Sequence, residues 1–147
     1  MIIYIDTSAL ARVYLGDQSD SARLTQVVYE HEDPVITSEL TDVEIASAFA
    51  RATRQGTIDA STAATLMDRY AADTSDIGPV GVVALDGATL ALAQRYVLST
   101  PVRSLDAIHL AACAQFREST PDEVRLLSRD RRQNDAAQAI GIALADV

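Results

Sequence analysis

Lysine and tryptophan are absent from the 147 residues, and Cys113 is the one cysteine. A lone cysteine excludes a disulfide framework and a thiolate zinc site. No apolar run approaches the roughly 18 to 20 residues that a membrane-spanning helix needs. The short apolar run Ile2–Ile5 has no basic region before it and is followed by Asp6, so it predicts a first strand and not a signal peptide. These absences lead us to expect a soluble cytoplasmic protein.

The charge of the chain is one-sided. It carries 21 acidic and 12 basic residues, a formal net charge of −9, and every basic residue is arginine. This balance counts against broad binding of nucleic acid, because attraction to phosphate normally comes from a basic surface. If RNA is the substrate, arginines and a bound metal must attract it locally. With 48% hydrophobic residues, the composition is globular, and the length predicts a single domain over residues 1–147.

Short β-type runs alternate with helical stretches along the chain. Strands are predicted at residues 2–5, 35–38, 80–85 and 124–127, with a short fifth at 142–144. Helices are predicted at 9–16, 19–31, 42–54, 59–76 and 88–98, from 104 onward, and at 130–140. This alternation predicts an α/β fold, with a parallel sheet of four to five strands covered by helices on both faces. Ligands in such folds bind beyond the carboxyl ends of the strands, so acids at those ends matter most.

Two acids stand where a predicted strand passes into a helix. Asp6 follows the first strand, and Asp130 follows the strand VRLLS. At the carboxyl ends of parallel strands, both could face a metal ion or a substrate. The alternative is structural, because an aspartate in this position can cap a helix by accepting a hydrogen bond from a free backbone N–H group. The position alone leaves both interpretations open.

Glu44 lies in the helix ELTDVEIASAFAR, at the margin of the apolar stripe that should face the core. That stripe is predicted to comprise Leu40, Val43, Ala46, Phe49 and Ala50, widened by Ile45 and Ala48. The alternative for Glu44 is an exposed glutamate, either solvated or paired with Arg51. The same helix is predicted to take Thr41 or Asp42 as its N-cap and to end at Gly56.

Asp106 opens the helix SLDAIHLAACAQF, whose other residues are largely apolar. A helix that is apolar on almost every side is a buried one, so an acid in its first turn needs a reason. One reason is a functional carboxylate, and the other is an aspartate in the helix dipole with Ser104 as N-cap. His109, one turn later, is interpreted as a packed, hydrogen-bonded core residue, with a general base or a metal ligand as the alternative.

The four acids together indicate a metal site. Clustered carboxylates repel one another and raise each other's pKa unless a cation neutralises them. Hard oxygen ligands without histidine or thiolate partners favour Mg²⁺ or Mn²⁺ over zinc. Such a site suits hydrolysis of phosphodiester bonds, in which metal activates a water, orients the phosphate and stabilises the leaving oxygen.

The sequence resembles the PIN-domain nucleases, and specifically the VapC-type toxins of bacterial toxin–antitoxin pairs. The resemblance covers the whole chain and rests on four segments in order: YIDTSAL, SELTDVEIASAFAR, SLDAIHLAACA, and LLSRDRR followed by AAQAIGI. It implies a three-layer α/β/α sandwich, and it implies that the catalytic, metal-binding acids are Asp6, Glu44, Asp106 and Asp130. It further implies that Ser8 and Ser128 support these carboxylates.

The resemblance also implies Mg²⁺- or Mn²⁺-dependent cleavage of RNA, often structured RNA such as tRNA or rRNA, together with a VapB-type antitoxin partner and a homodimer. Phosphate contacts are expected from arginines close in sequence to the acids, namely Arg12, Arg51, Arg103, Arg129, Arg131 and Arg132. Two alternatives keep the fold: an interaction module acting mainly in an antitoxin or repressor complex, and a housekeeping RNA-processing nuclease. A haloacid-dehalogenase-like phosphatase fits poorly, because it needs a second aspartate where Ser8 stands and a distal lysine.

Overall fold

Strands and helices alternate in the computed structural model, which describes all 147 residues. The strands β1 to β4 are Ile2–Ile5, Val35–Ser38, Val80–Val83 and Val124–Leu127. The helices α1 to α7 are Thr7–Leu15, Ser21–Tyr29, Leu40–Arg54, Ala60–Asp73, Gly87–Ser99, Ser104–Ser119 and Arg131–Ala139. The strands form one parallel sheet in the order β3-β2-β1-β4. This confirms the predicted α/β fold.

The alternation of side chains along β1 divides the core into two layers. Ile3 and Ile5 pack with side chains of α1 to α4 on one face of the sheet. Ile2 and Tyr4 pack on the other face, mainly with α6 and α7. Because successive residues of a strand point to opposite faces, a strand that is apolar throughout has to be covered on both sides. The helices therefore form the two outer layers of an α/β/α sandwich.

The ends of β1 and β4 lie level at one edge of the sheet. Ile5 is in register with Leu127, and the backbone N–H of Asp6 donates to the carbonyl oxygen of Leu127 at 3.1 Å. Parallel strands leave the sheet on the same side, so the turns into α1 and α7 are neighbours. This geometry places the residues that follow the two strands side by side.

The sheet has less β structure at its margins than predicted. Instead of a fifth strand at 142–144, a single parallel bridge joins Leu126 to Leu144. The third strand ends at Val83 instead of residue 85. Beyond Val83, the backbone N–H of Leu85 donates to the carboxylate of Glu39 at 2.9 Å, so a side chain replaces the neighbouring strand as its partner.

Helix α3 buries a different stripe from the predicted one. Its buried residues are Thr41, Ile45, Phe49 and Ala52. Val43, expected in the core, is 72% exposed. The difference arises because the buried stripe includes a threonine, whose hydroxyl lies 2.7 Å from that of Thr37 inside the protein. A prediction made from apolar residues alone does not include a buried threonine such as Thr41.

The prediction that Thr41 or Asp42 caps the N-terminus of α3 is also wrong. The helix begins at Leu40 with Glu39 in the capping position, and no side chain caps it. Asp42 instead accepts a hydrogen bond from the hydroxyl of Tyr70 at 2.6 Å. At the other end Gly56 has φ +73°, a left-handed conformation that ends a helix with little strain in glycine.

Helix α6 is buried through its middle, as its composition predicted, whereas Leu105 in its first turn is 48% exposed. Residues 110–114 are nearly inaccessible to solvent, and they include the thiol of Cys113. None of the seven helices combines the length and the apolar character that crossing a membrane requires.

Candidate active site

A cavity of about 460 Å³ opens at the carboxyl edge of the sheet. Its wall includes all four acids that the sequence singles out: Asp6, Glu44, Asp106 and Asp130. Asp6 and Asp130 come from the turns after the neighbouring strands β1 and β4, while α3 and α6 supply the other two. The fold thus brings together four carboxylates that are widely separated in the chain.

Asp6 is both a helix cap and a buried member of the cavity wall. Its side chain is 2% exposed, and its Oδ1 accepts the backbone N–H of Ala9 at 3.0 Å. Ser8 Oγ lies 2.8 and 2.9 Å from its two oxygens, and Ser128 Oγ lies 2.8 Å from Oδ2. Burial raises the pKa of this carboxyl, although these hydrogen bonds and the charge of His109 oppose the shift. The capping and the site interpretations are therefore compatible.

The two serines connect the turns that carry Asp6 and Asp130. Their hydroxyl oxygens lie 3.2 Å apart. Ser8 Oγ accepts the backbone N–H of Arg129 at 2.8 Å, and Ser128 Oγ accepts that of Asp130 at 3.0 Å. Each serine therefore contacts the Asp6 carboxylate and the β4–α7 turn at once. A residue that supports the carboxylates needs such contacts, and Ser8 and Ser128 both make them.

Asp130 caps α7 with one oxygen only. Its Oδ1 accepts the backbone N–H groups of Arg132 and Gln133 at 2.8 and 3.3 Å. The carboxylate is partly exposed and lines the cavity. Capping therefore leaves Oδ2 without a hydrogen bond to the helix.

Asp106 is the acid with the least protein support. Helix α6 begins at Ser104 with Arg103 in the capping position and no side-chain cap, so the N-cap expected at Ser104 is not formed. The Oδ2 atom of Asp106 is buried without a hydrogen-bond partner. Burial raises the pKa of this carboxyl, and the nearby charges of Asp130 and Asp6 raise it further. The fold thus holds the Asp106 carboxyl where burial and neighbouring acids disfavour its charged form.

Glu44 is tied to the cavity wall and not to Arg51. Its Oε1 accepts the hydroxyl of Thr7 at 2.9 Å and lies 2.6 Å from Nε2 of His109. Burial alone would raise the pKa of Glu44, but the hydrogen bond and charge of His109, with the bond from Thr7, lower it. The expected alternative, a solvated or Arg51-paired glutamate, does not describe this side chain, which is 23% exposed.

His109 is the functional candidate that sequence reasoning undervalued. The prediction of a packed, hydrogen-bonded residue is right about burial, since the side chain is 2% exposed and its Nδ1 lies 2.9 Å from the hydroxyl of Tyr4. Its other nitrogen, however, faces Glu44 in the cavity. The spacing of Asp106 and His109 was the available signal, because residues three apart share a helix face.

The predicted RNA-binding arginines differ in what they contact. Arg51 lines the cavity. Arg12 Nη1 and Arg129 Nε both bind Asp20, at 2.9 and 2.6 Å. Arg103 lies exposed at the start of α6. The structure thus leaves Arg51 open to the cavity and pairs two of the others with a single carboxylate.

Arg131 and Arg132 lie outside the cavity wall, on the exposed first turn of α7. The side chain of Arg131 is 95% exposed, and its Nε lies 3.9 Å from Asp135 one turn later. Both are therefore surface cations whose guanidinium groups form no ion pair with the four acids, and Arg132 contacts Asp130 only through its backbone N–H.

The donor set of the cavity suits a hard divalent cation. All four acids offer oxygen, and the buried, unpartnered Oδ2 of Asp106 is an atom that a cation would satisfy. No three His, Cys, Asp or Glu side chains of the structure converge closely enough to form a ready-made ion site. The residues fit the chemistry of Mg²⁺ or Mn²⁺, and binding would require the carboxylates to draw closer.

Residues 3–139 match the family model of the PIN domain. The match covers most of the chain and includes all four acids of the cavity. The chain belongs to the PIN-domain family, as its sequence predicted.

Within this family the chain is similar to ribonucleases of the VapC type, which confirms the finer resemblance. It is 29% identical to Ribonuclease VapC35 of Mycobacterium tuberculosis over 143 residues, 97% of this chain and 95% of that one. It is 29% identical to Ribonuclease VapC47 of the same organism over 146 residues, 98% and 96% of the two chains. The crystal structure of M. tuberculosis VapC20, described as a Sarcin-Ricin loop cleaving toxin, covers 97% of this chain and 98% of its own. At a TM-score of 0.66 and 14% identity, that likeness shows the fold.

Replacing Asp106 by asparagine should stabilise the protein in the absence of divalent ions. The folded state raises the pKa of this carboxyl, so it binds more protons than the unfolded chain, and the parent loses stability as the pH rises through the raised pKa. The Asp106→Asn variant lacks this loss. Its Tm advantage over the parent should therefore grow as the pH rises from about 4, the usual pKa of an aspartate, through the raised pKa of Asp106. Thermal unfolding followed by circular dichroism measures it, with exposed Asp135→Asn as control; an advantage that shrinks toward neutral pH would contradict the assignment.

Replacing His109 by leucine should raise the pKa of Glu44, because the hydrogen bond and charge that lower it are lost. Thr7→Val removes only the hydrogen bond from Thr7, which lowers the pKa of Glu44 less than His109 does, so this variant should raise that pKa less. Carboxyl titration by NMR gives both values, and the amide spectrum reports whether each variant keeps the fold. An unchanged Glu44 pKa in folded His109→Leu would show that this contact does not persist in solution.

Proposed function

We propose that this PIN domain is an endoribonuclease that hydrolyses RNA phosphodiester bonds in the four-acid cavity. The observation that carries the proposal is the meeting of Asp6, Glu44, Asp106 and Asp130 in one cavity, with three of them linked electrostatically. A site that concentrates carboxylates against burial and repulsion stores an unfavourable interaction, and such sites are commonly functional. The relatives named as ribonucleases span nearly the whole chain.

Asp6, Asp106, Asp130 and Glu44 would hold Mg²⁺ or Mn²⁺ in this proposal. When bound, the ion supplies Lewis-acid chemistry and lowers the pKa of a water nucleophile. The chain's own contribution is orientation. Ser8 and Ser128 fix the Asp6 carboxylate, and His109 with Thr7 fixes that of Glu44.

The substrate class that we propose is structured RNA, such as a tRNA or an rRNA loop. The solved relative VapC20 is described as cleaving a Sarcin-Ricin loop. The net charge of −9 fits recognition of a particular shape better than general attraction to phosphate, because unspecific binding depends on basic surface.

Replacing Asp6 by asparagine should abolish cleavage while preserving the fold, since asparagine caps helices about as well as aspartate. The loss of RNA cleavage in Mg²⁺ or Mn²⁺ should exceed the roughly 10–100-fold that removal of a ligand-supporting residue causes. Ser128→Ala should fall within that range, because Ser128 does not line the cavity and acts by supporting Asp6 and the turn that carries Asp130. Asp135→Asn, an acid 68% exposed outside the cavity, is the matched control. Full activity in folded Asp6→Asn would refute the assigned site.

We further propose that the protein is a toxin, neutralised by a VapB-type antitoxin, and that it forms a homodimer in the cytoplasm. The support is its similarity to VapC ribonucleases over almost their full length. The alternatives are an interaction module acting in a repressor complex and a housekeeping nuclease of RNA processing.

The gene for an antitoxin should lie next to the gene for this protein. Co-expression of the two should yield a stable complex in which RNA cleavage is inhibited. Light scattering after gel filtration gives the mass of the protein alone and of the complex. A lone reading frame, with growth unaffected by expression of an active enzyme, would favour the housekeeping nuclease. The interaction module would be favoured by two results together: the parent cleaves no RNA, and the Asp6→Asn variant forms an antitoxin complex as stable as that of the parent.

A further inference from the structure

A second cavity continues the four-acid cavity along the surface between α1 and α3. Its volume is about 320 Å³, and both cavities fall within the roughly 300–1,000 Å³ typical of ligand sites. Three residues line both: Ala11, Ala48 and Arg51. The two cavities therefore form one groove, which we call the α1–α3 groove where it extends beyond the acids.

The groove follows one face of α3. Glu44, Ala48, Arg51 and Gln55 are spaced by four, three and four residues, so they form a single line along the helix. Glu44 belongs to the four-acid cavity, whereas Gln55 lines only the second one. Arg51 lies between them, about 10 Å along the helix from Glu44 at the usual rise per residue. The small side chains of Ala48 and, from α1, Ala11 leave the space open.

The charge of the wall changes along this line. The acids of the first cavity give way to Arg12, Arg51 and one acid, Asp17, in the second. Arg12 is held by Asp20 at 2.9 Å, while Arg51 is exposed and forms no salt bridge. Arg51 is thus the cation of the groove that is free to bind an anion. Gln18, Gln55 and Thr57 add neutral hydrogen-bonding groups.

We propose that the α1–α3 groove binds the nucleotides next to the bond that is cut, with Arg51 contacting the phosphate adjacent to the scissile one. This rests on the proposed ribonuclease function. An RNA strand with one phosphate at the four acids has to continue through a neighbouring opening, and the groove is continuous with that point. An arginine guanidinium matches phosphate geometry, and amide and hydroxyl groups suit bases and ribose better than they suit an apolar peptide face.

Arg51→Gln tests the proposal, with Arg54→Gln as its matched control. Arg54 lies on the same helix, is exposed like Arg51, and lines neither cavity. In steady-state cleavage of an RNA that the parent cuts, Arg51→Gln should raise KM about tenfold with kcat changed little, since a contact outside the reacting bond contributes uniform binding. Arg54→Gln should leave both constants unchanged, and Arg51→Lys should recover part of the loss.

A binding measurement removes the dependence on turnover. Fluorescence anisotropy with the cleavage-deficient Asp6→Asn protein and the same RNA, end-labelled, gives Kd at several salt concentrations. Adding Arg51→Gln should weaken binding about tenfold and reduce the slope of log K against log salt by about 1, as loss of one phosphate contact predicts. Thermal unfolding checks that the variants remain folded.

Three results would overturn the proposal. Equal KM and salt dependence for the Arg51 and Arg54 variants would show that the groove does not carry RNA. A fall in kcat alone would place Arg51 in the chemical step. Unchanged RNA binding together with weakened antitoxin binding in Arg51→Gln would assign the groove to a protein partner. A parent protein that cuts no RNA would instead refute the proposed function itself, and the two failures are therefore distinguishable.

Discussion

The carboxylate of Asp6 is the interaction on which the rest of the site depends. It receives hydrogen bonds from Ser8 and Ala9 in the first turn of α1 and from Ser128 in the turn after β4. Removing a carboxylate from water is unfavourable unless hydrogen bonds compensate, and these contacts compensate in part, since burial still raises the pKa of Asp6. They also fix the turn after β4, since the same serines accept its backbone N–H groups. The burial of one acid thereby determines where Asp130 and the start of α7 lie.

The four acids form two unequal groups around this centre. Burial raises the pKa of both Asp6 and Asp106, and the charges of Asp130 and Asp6 raise that of Asp106 further. Glu44 belongs with His109, and its pKa is lowered. The cavity therefore combines an aspartate whose Oδ2 has no partner, Asp106, with a glutamate satisfied by a histidine. An ion entering the cavity would gain most from Asp106, while Glu44 would have to exchange its contact with the histidine for contact with the ion.

Local patterns were sufficient to predict much of this arrangement. The apolar run of β1 and the apolar composition of α6 determine burial directly, so both elements could be placed from sequence, and the parallel sheet follows from the alternation. The strand-end positions of Asp6 and Asp130 then imply proximity, because parallel strands share a carboxyl edge.

Contacts between residues far apart in the chain could not be predicted in this way. The buried stripe of α3 was misplaced because Thr41 is satisfied by Thr37 of a neighbouring strand. The partnership of Glu44 with His109 and the capture of Arg12 and Arg129 by Asp20 likewise join separate elements. Resemblance to a family indicated which acids matter, but not which partners hold them.

The capture of two arginines by Asp20 bears on how fast RNA arrives. Long-range electrostatic attraction accelerates encounter only when a surface presents uncompensated charge of the opposite sign. Here the net charge is negative and part of the local cationic charge is already paired. Collisions with most RNA are therefore neither accelerated nor retained. Under the proposed function, selectivity would begin at the encounter, because only an RNA that reaches the unpaired arginines would remain long enough to be cut.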